Sequence, residues 1–321
     1  MNTRTWVGLG AVIMALGLML LFLQRQPPPG VVEGEALFEG FEQELARAIE
    51  VTDSDGEGIR LAKEAGVWVI PAEANYSADP QGVRDILDFI SEARSSRMVS
   101  SNPEKRSMFD LDEESGLGVR ITGAEDAVLA DFRIGKTGPD YMSTYVRPQD
   151  SDEIFLVDET LRRIFVRPSV RQWRDKAIFR FSGSDIIHLM LEREGEKVEL
   201  EVDAGGNWTL TTPSSAPALR GEVETLRNAL ATLRCDDFAE VSNDGEAGLD
   251  QPYARIEFTL RGGATHALEV GRENDHSQRF VRRQGDETIF LVNNFRINSL
   301  LRSADELKAP PPEPEATGSE E

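Results

Sequence analysis

The sequence carries one set of landmarks twice. The apolar quartet Ile-Phe-Leu-Val stands at 154–157 and again at 289–292, which is 135 positions later. Other matches keep the same order while their separation drifts from 135 to 141 positions: 36–38 with 177–179, Trp68 with Trp208, Val83 with Val223, 110–112 with 248–250, Gly135 with Gly271, and 145–146 with 280–281. Matches in one order over so long a stretch indicate an internal duplication. The quartet is therefore predicted to be a core strand of a domain that is present in two copies.

Each copy is predicted to be an α+β domain. In the second copy, residues 198–202 and 256–260 alternate apolar and polar side chains, as half-buried strands do. An amphipathic helix is predicted from apolar residues at steps of three and four, namely Leu219, Val223, Leu226, Leu230 and Leu233. In the first copy, Asp79 and Pro80 are predicted to cap and to begin the matching helix. With the later strands and a closing helix, each copy becomes a mostly antiparallel sheet with helices on one face.

The duplication also sets the predicted boundaries. Repeat domain 1 is expected at 34–165 and repeat domain 2 at 177–308. The segment 166–176 between them is basic and contains Trp173, and we interpret it as an ordered connector. The C-terminal stretch 309–321 is rich in Pro and Glu and has no apolar period, which predicts a disordered tail.

The N-terminal segment predicts a membrane anchor. Residues 6–23 contain no charged side chain, and as a helix they would be roughly 27 Å long, close to the roughly 30 Å hydrocarbon core of a bilayer. The Gln-Arg-Gln-Pro-Pro-Pro-Gly that follows lacks the small-residue pattern of a cleavage site, which favours an uncleaved span over a signal peptide. With 1–5 as a cytoplasmic tail and 24–33 as a Pro-rich spacer, the bulk of the chain is expected outside the cytoplasm.

Composition excludes some classes of partner and chemistry. The net charge of -22 argues against nucleic acid, because a nucleic-acid-binding protein needs a basic surface to neutralise phosphates. The single cysteine, Cys235, rules out an intramolecular disulfide. It is predicted to be a small helix residue, matching Ser95 of the first copy, rather than a nucleophile.

Two stretches imitate ligand motifs. Residues 53–64 resemble a calcium loop, but the second copy has Glu-Arg-Glu-Gly-Glu-Lys-Val-Glu-Leu-Glu-Val there, which is typical of strand, turn and strand. We therefore predict a charged hairpin turn. Residues 134–137, Ile-Gly-Lys-Thr, resemble the end of a phosphate-binding loop, but Ala130 occupies the position of its first glycine. We predict a turn between strands at 134–137.

The remaining candidate residues favour a non-enzymatic protein. His188, His266 and His276 share no spacing typical of metal ligands and are predicted to be packed or surface residues. Trp68 and Trp208 follow the predicted hairpin turn in each copy, which favours core aromatics over a ligand platform. No catalytic residue, cofactor site or metal site is predicted.

The landmarks together resemble a known family. In order they are Leu-Phe, a tryptophan followed by a proline, a Val-x-x-(Ile/Leu) helix, Gly-Leu-Asp, (Ile/Val)-Gly-(Lys/Arg), (Tyr/Phe)-Val-Arg and Ile-Phe-Leu-Val. Over residues 36–305 this order resembles domain-of-unknown-function family 4340 (DUF4340), and Trp-Arg-Asp-Lys at 173–176 resembles the family's approach to a repeat. The repeat-motif residues here are Trp68, Gly135, Trp173, Trp208, Leu249 and Gly271. The family assigns them no catalytic role.

The resemblance implies a location and a partner class. It implies a bacterial protein held in the inner membrane by one N-terminal helix, with its bulk in the periplasm. It further implies a gene encoded near components of ABC transporters, as many members of the family are. We therefore expect a non-enzymatic accessory protein that binds membrane subunits, such as those of an ABC transporter. The alternatives are a binder of a lipid, glycan or peptide in the cleft between the repeats, and a hydrolase without a recognisable motif.

Overall fold

A computed structural model describes residues 36–94, 97–241 and 243–310. The chain divides into two compact units between Asp175 and Lys176. The predicted cytoplasmic tail, membrane span and spacer at 1–33 lie outside the described residues, as does all but the start of the C-terminal tail. Within the described part, no helix is long and apolar enough to cross a membrane.

The first unit contains one antiparallel sheet of nine strands. Across the sheet their order is β4-β3-β2-β1-β6-β7-β8-β9-β5. In chain order the strands are β1 Ala48–Thr52, β2 Gly58–Glu64, β3 Val67–Ile70, β4 Tyr76–Ser77, β5 Arg97–Ser100, β6 Leu117–Thr122, β7 Val128–Thr137, β8 Thr144–Pro148 and β9 Ile154–Val157. Helix α1 is Pro80–Glu92, α2 is Arg162–Phe165, and short 3-10 helices include Ser107–Phe109 and Val170–Trp173.

The second unit repeats this architecture with the order β13-β12-β11-β10-β15-β16-β17-β18-β14. Its strands are β10 Ile186–Arg193, β11 Glu196–Val202, β12 Trp208–Thr212, β13 Ala216–Pro217, β14 Asp237–Phe238, β15 Ala254–Leu260, β16 Thr265–Glu273, β17 Gln278–Arg283 and β18 Ile289–Asn293. Its helices are α3 Arg220–Ala231, α4 Asp244–Ala247, α5 Asn294–Leu300 and α6 Ala304–Leu307. The two sheets share one strand order, so the predicted tandem arrangement is confirmed. Both copies of the Ile-Phe-Leu-Val quartet are strands.

Helix α1 begins as the sequence predicts. The Asp79 carboxylate accepts a hydrogen bond from the Gln81 backbone N–H at 3.3 Å, and Pro80 is the first helical residue. The buried side of α1 includes Val83, Ile86 and Ile90, which belong to one hydrophobic cluster with inward-facing strand residues. Most of the stability of such a helix comes from burying this apolar side rather than from its intrinsic propensity.

Aromatic rings fill the centre of each core. In the first unit, Phe132 of β7 lies 4.8 Å from Phe38, 6.3 Å from Phe89 and 5.8 Å from Phe165, measured between ring centroids. In the second unit, Phe258 of β15 meets Phe179 edge to face at 5.1 Å. Such pairs add to the free energy of burial because edge and face carry opposite partial charges.

Several elements differ from the sequence predictions. The sequence predicted only the end of β10, before the turn at 194–195, whereas β10 begins at Ile186 and pairs with both β11 and β15 near the centre of its sheet. The predicted closing helix is two helices, α5 and α6, with Ser303 capping the second. Trp173, which we assigned to a connector, is buried in the core of the first unit. The 3-10 helix Val170–Trp173 therefore packs as part of that unit.

Of the two predictions made for stretches that resemble ligand motifs, one is confirmed and one is wrong. Residues 53–57 form a turn between β1 and β2, and the Asp53 carboxylate accepts the backbone N–H groups of Asp55 and Glu57 at 3.0 and 2.9 Å. The predicted charged hairpin turn is confirmed. The prediction of a turn at 134–137 is wrong, because β7 continues through these residues and Thr137 pairs with Thr144. The turn comes later, at 138–143.

The second core allows a paired test of burial. Phe258 is 0% exposed, whereas Phe295 of α5 is 80% exposed. We expect Phe258→Ala to lower the free energy of unfolding by about 3–5 kcal/mol, since it leaves a cavity among aromatic rings. Phe295→Ala should change it by less than about 0.5 kcal/mol. Urea denaturation followed by circular dichroism measures both, and equal effects would contradict the assigned core.

Candidate functional site

Each sheet has a polar side that faces away from the buried cluster. In β1, Glu50 stands between the core residues Ile49 and Val51, and successive strand residues point to opposite faces. Glu50 pairs with Arg60 of β2, and Arg120 of β6 donates to Asp131 of β7 at 2.6 Å. The second unit has a similar row, in which Arg255 contacts Glu257 at 3.2 Å and Glu269 at 3.4 Å. This side is the candidate interaction surface of each unit.

A loop segment crosses this polar side at a glycine. A Cβ on Gly135 of β7 would overlap the carbonyl oxygen of Phe109, and a Cβ on Gly271 of β16 would overlap that of Ala247. The crossing segment can approach the strand this closely because glycine has no side chain. The family motif (Ile/Val)-Gly-(Lys/Arg) therefore has a structural explanation in both units.

The residues around the crossing explain the rest of the motif. Leu111 is 0% exposed and Leu249 is 4% exposed, so each crossing segment buries one leucine, and Leu249 lies in a small apolar cluster with Ala247, Phe280 and Ile289. Asp110 and Gly248, which precede them, share left-handed backbone with φ of 55° and 68°. Aspartate tolerates this region better than most residues, which accounts for Asp-Leu-Asp in the first copy where the second has Gly-Leu-Asp.

The basic residue after each glycine ties down the same segment. Lys136 Nζ donates to the Met108 carbonyl, and Arg272 Nε donates to the Glu246 carbonyl. The Lys136 ammonium also lies 5.7 Å from the centroid of the Phe109 ring. Both units therefore use a cation to hold the carbonyl groups of the crossing segment.

The two units differ at two of three matched positions next to the crossing. In the second unit, Arg282 of β17 donates to Glu269 at 2.9 Å and to Asp244 at 2.6 Å. In the first unit, the matching positions hold Arg147, Arg133 and Arg106, and we call these three residues the arginine triad. The sequence predictions missed it. The landmark alignment offered a signal, since it places two arginines opposite two acids.

The difference in surrounding charge shifts the pKa of the matched arginines, Arg147 and Arg282, in opposite directions. Burial lowers the pKa of Arg147, and the positive charges of Arg106 and Arg133 lower it further. Hydrogen bonding to Glu269 and Asp244 instead raises the pKa of Arg282. Arg147 is 3% exposed, and its Nη1 donates to three backbone carbonyls in the loop after β8. A charged guanidinium in so buried a position needs this many acceptors.

Open concavities adjoin the arginine triad. One of about 440 Å³ is lined by Arg106, Asp112, Glu113, Glu114, Arg147 and Gln149. A neighbouring one of about 230 Å³ includes Arg120, Asp131, Arg133 and Gln149 in its lining. Because Gln149 lines both, the two concavities meet on the polar side of the first unit. Both are open and charged, which suits a polar partner rather than an apolar small molecule.

The predicted tryptophans sit between hairpin and helix. Trp208 is 6% exposed, and the Arg227 guanidinium of α3 lies 5.2 Å from its ring centroid. A concavity of about 300 Å³ beside it is lined in part by Arg220 and Arg261. Trp68 is half-buried and packs against the first core, with Lys63 Nζ 6.0 Å from its ring.

The cysteine does not lie where the sequence predicted. Helix α3 ends at Ala231, so Cys235 is beyond the helix, and its backbone N–H donates to the Lys176 carbonyl at 2.8 Å. Its side chain is buried, and burial raises the pKa of the Cys235 thiol to about 12. In the described part of the chain, no three His, Cys, Asp or Glu side chains are grouped so as to hold a metal ion.

The glycine crossing predicts a large cost for one methyl group. Gly271→Ala should lower the free energy of unfolding by about 2 kcal/mol or more, because the Ala247 carbonyl would have to move. Gly221→Ala in α3 is the control, since no atom lies within 4 Å of a Cβ there. It should raise stability by about 0.5 kcal/mol, as alanine favours helix. Urea denaturation measures both free energies of unfolding. Changes of the same sign in the two variants would contradict the close approach at Gly271.

The raised pKa of Cys235 predicts an inert thiol. Thiolates react with alkylating agents and thiols do not, so the folded protein should resist iodoacetamide at about pH 8. In urea the thiol regains an ordinary pKa and should be alkylated. Mass spectrometry of the treated protein measures both states. Rapid alkylation of the native chain would place Cys235 at the surface.

Comparison with known proteins gives one match. The model of the family described as "Domain of unknown function (DUF4340)" matches residues 68–252 and 246–311. No curated protein matches the chain, and no solved structure does. The matched residues cover most of both units and contain the two glycine crossings. The chain therefore belongs to the DUF4340 family.

Proposed function

We propose that this protein is a non-enzymatic interaction module, anchored in the bacterial inner membrane by residues 6–23, with its bulk in the periplasm. It holds membrane protein subunits, of the ABC transporter type that the family resemblance implies. In each repeat the helices cover one face of the sheet, and the polar face is left for partners. The proposal rests on the sequence of the N-terminal segment and on one feature of the first unit.

That feature is an exposed apolar loop after β7. Tyr141 is 83% exposed and Met142 is 73% exposed, at the tip of the turn at 138–143. Adjacent apolar side chains this exposed are typical of a contact with a membrane or a protein. Tyrosine in particular favours the interface between lipid and water.

The loop lies at the end of the sheet where the chain arrives from the proposed anchor. Ala36 forms a β-bridge with Arg94, three residues before the edge strand β5. Arg97 at the start of β5 is opposite Leu156, and Leu156 is opposite Tyr145, just after the loop. Two strand spacings are only about 10 Å, so the loop and the arriving chain share one end of the sheet. An anchor attached there would bring Tyr141 and Met142 toward the bilayer.

The local charge at this end supports the same orientation. The chain carries a net charge of -22, which would repel anionic lipid. Four exposed arginines nevertheless lie near this end, namely Arg94, Arg97, Arg162 and Arg163. They offset acids of the same end, among them Glu92, Asp140, Asp158 and Glu159. These arginines therefore reduce the repulsion between this end and anionic lipid.

Tethering supports an accessory role more than a soluble one. A short spacer confines the two units to the neighbourhood of the bilayer and raises their effective concentration toward membrane subunits. The alternative is a periplasmic ligand binder, and the concavity beside Trp208 favours it. A binder of a diffusing ligand does not need the tether. Release from the membrane should therefore impair an accessory protein and leave a ligand binder active.

The test compares anchored and released protein. The released form replaces residues 1–26 with a cleavable secretion signal. After crosslinking, membrane subunits should co-purify with the full-length chain, and at least tenfold less with the released form, because its effective concentration at the membrane falls. The loop variant Tyr141→Ser with Met142→Ser should also recover less. The control Val128→Ser should recover as much membrane subunit as the wild type. Val128 lies at the other end of β7 and is 54% exposed.

Either of two results would reject the accessory role. In one, the released form fully restores the phenotype of a deletion strain and no membrane subunit is recovered with the anchored form. The ligand binder would then replace it. In the other, alkaline carbonate extracts the full-length protein from membranes, which would show that the protein has no membrane-spanning anchor.

A further inference from the structure

We infer that the arginine triad of the first unit, Arg106, Arg133 and Arg147, binds an anionic group of the carboxylate or phosphate type. The second unit fills the corresponding place with its own carboxylates. The inference concerns the first unit alone, and it holds whether or not the protein is membrane-anchored.

The structural match between the two places is close. Arg133 of β7 is directly opposite Arg147 of β8, as Glu269 of β16 is directly opposite Arg282 of β17. The Arg106 carbonyl accepts the N–H of Leu111 at 2.9 Å, and the Asp244 carbonyl accepts the N–H of Leu249 at 2.8 Å. The three arginines thus occupy the backbone positions of Arg282, Glu269 and Asp244.

The net charge of these three positions is negative in the second unit and positive in the first. In the second unit one arginine meets two carboxylates, and both contacts are within hydrogen-bond distance. In the first unit three guanidinium groups come together, and Asp152 forms an ion pair with Arg106. Like charges in a partly buried place repel, and an opposite charge from outside relieves that repulsion. A carboxylate or a phosphate ester supplies such a charge with oxygens spaced to accept from guanidinium groups.

Each arginine of the triad also has one unsatisfied hydrogen-bond donor. The Nε atoms of all three arginines are buried without a partner among the described residues. Arg133 Nη1 donates to the carbonyls of Asp112 and Gly116. Arg147 Nη1 donates to backbone carbonyls at the end of β8 and in the loop after it, and its Nη2 donates to the Gln149 side chain. These bonds fix the guanidinium planes in advance. A pre-positioned donor loses little entropy when a ligand arrives.

The site is open to solvent, and acids border it. Arg106 and Arg147 line the 440 Å³ concavity together with Asp112, Glu113 and Glu114. The Asp112 carboxylate is occupied within its own turn, where it accepts from the Glu114 N–H at 3.2 Å and the Ser115 hydroxyl at 2.5 Å. Glu113 and Glu114 are exposed at the rim. Their charges favour a ligand that brings one acidic group over a polyanion.

The test exchanges the pattern of one unit for that of the other. The variant Arg106→Asp with Arg133→Glu gives the first unit the arrangement that already folds in the second. Full-length protein in detergent is titrated calorimetrically with inorganic phosphate, with succinate, and with a short acidic peptide that has an amidated C-terminus. Sodium chloride of equal ionic strength is the reference. The wild type should bind at least one of these probes, and the variant should bind at least tenfold more weakly.

The three probes distinguish the source of the anion. Binding of the peptide alone indicates an acidic side chain of a protein partner, whereas binding of phosphate or succinate indicates a free small acid. The control Arg60→Glu with Arg84→Glu makes the same change of charge at two exposed positions outside the triad, and it should bind as the wild type does. If the designed exchange does not fold, Arg106→Gln with Arg133→Gln should show the same loss.

Three outcomes would overturn the site. They are no binding by the wild type beyond the effect of sodium chloride, equal binding by wild type and exchange variant, and an equal loss in the charge-matched control. The last would show that only the overall charge of the protein matters.

Discussion

The contact between a crossing carbonyl and a strand glycine shapes the polar side of both units. Because Gly135 and Gly271 have no Cβ, the carbonyl groups of Phe109 and Ala247 lie directly against their strands. Leu111 and Leu249, which follow these carbonyls in the crossing segments, are buried. The close approach also places the residue after the glycine, and the residues at the start of the crossing segment, beside the neighbouring strands. The triad in one unit and the ion pairs in the other are built on this one approach.

Much of the scaffold follows from local rules in the sequence. Alternation of apolar residues identified most central strands, and the Asp79-Pro80 pair identified the start of α1, because both signals depend on neighbours close in sequence. The turn at Asp53 was predicted instead from the matching stretch of the second copy. Strands β4, β13 and β14 have only two residues each, too few to show alternation. They exist because the adjacent strand offers hydrogen bonds, and that information is not local.

The wrong and missing predictions share a second cause. Ile-Gly-Lys-Thr at 134–137 has the composition of a turn, yet its glycine is required by a segment about 25 positions earlier that packs on it. The arginine triad was missed for a similar reason. Arg106, Arg133 and Arg147 are unremarkable alone, and they come together only through the pairing of β7 with β8 and the path of the crossing segment. Comparing charges between aligned copies, rather than apolar landmarks, would have singled them out.

Duplication explains how such a site can arise at low cost to the fold. The second unit shows that the same backbone accepts an arginine with two acids, which satisfy one another. The first unit keeps the crossing, the leucine anchor and the basic residue after the glycine. At the positions of Asp244 and Glu269 it has Arg106 and Arg133. One copy can therefore preserve the scaffold while the other gives up part of its electrostatic stability for binding.

The outermost strands of the two sheets have a further consequence for assembly. An open sheet presents unpaired backbone groups at its margins, and a long margin would recruit strands from other molecules. Here three of the four margins are strands of two residues: Tyr76–Ser77, Ala216–Pro217 and Asp237–Phe238. Pro217 also has no N–H to offer. Because so few backbone groups are unpaired at these margins, copies of this domain can be joined in one chain without pairing edge to edge into fibres. The same should hold for an array of more than two copies.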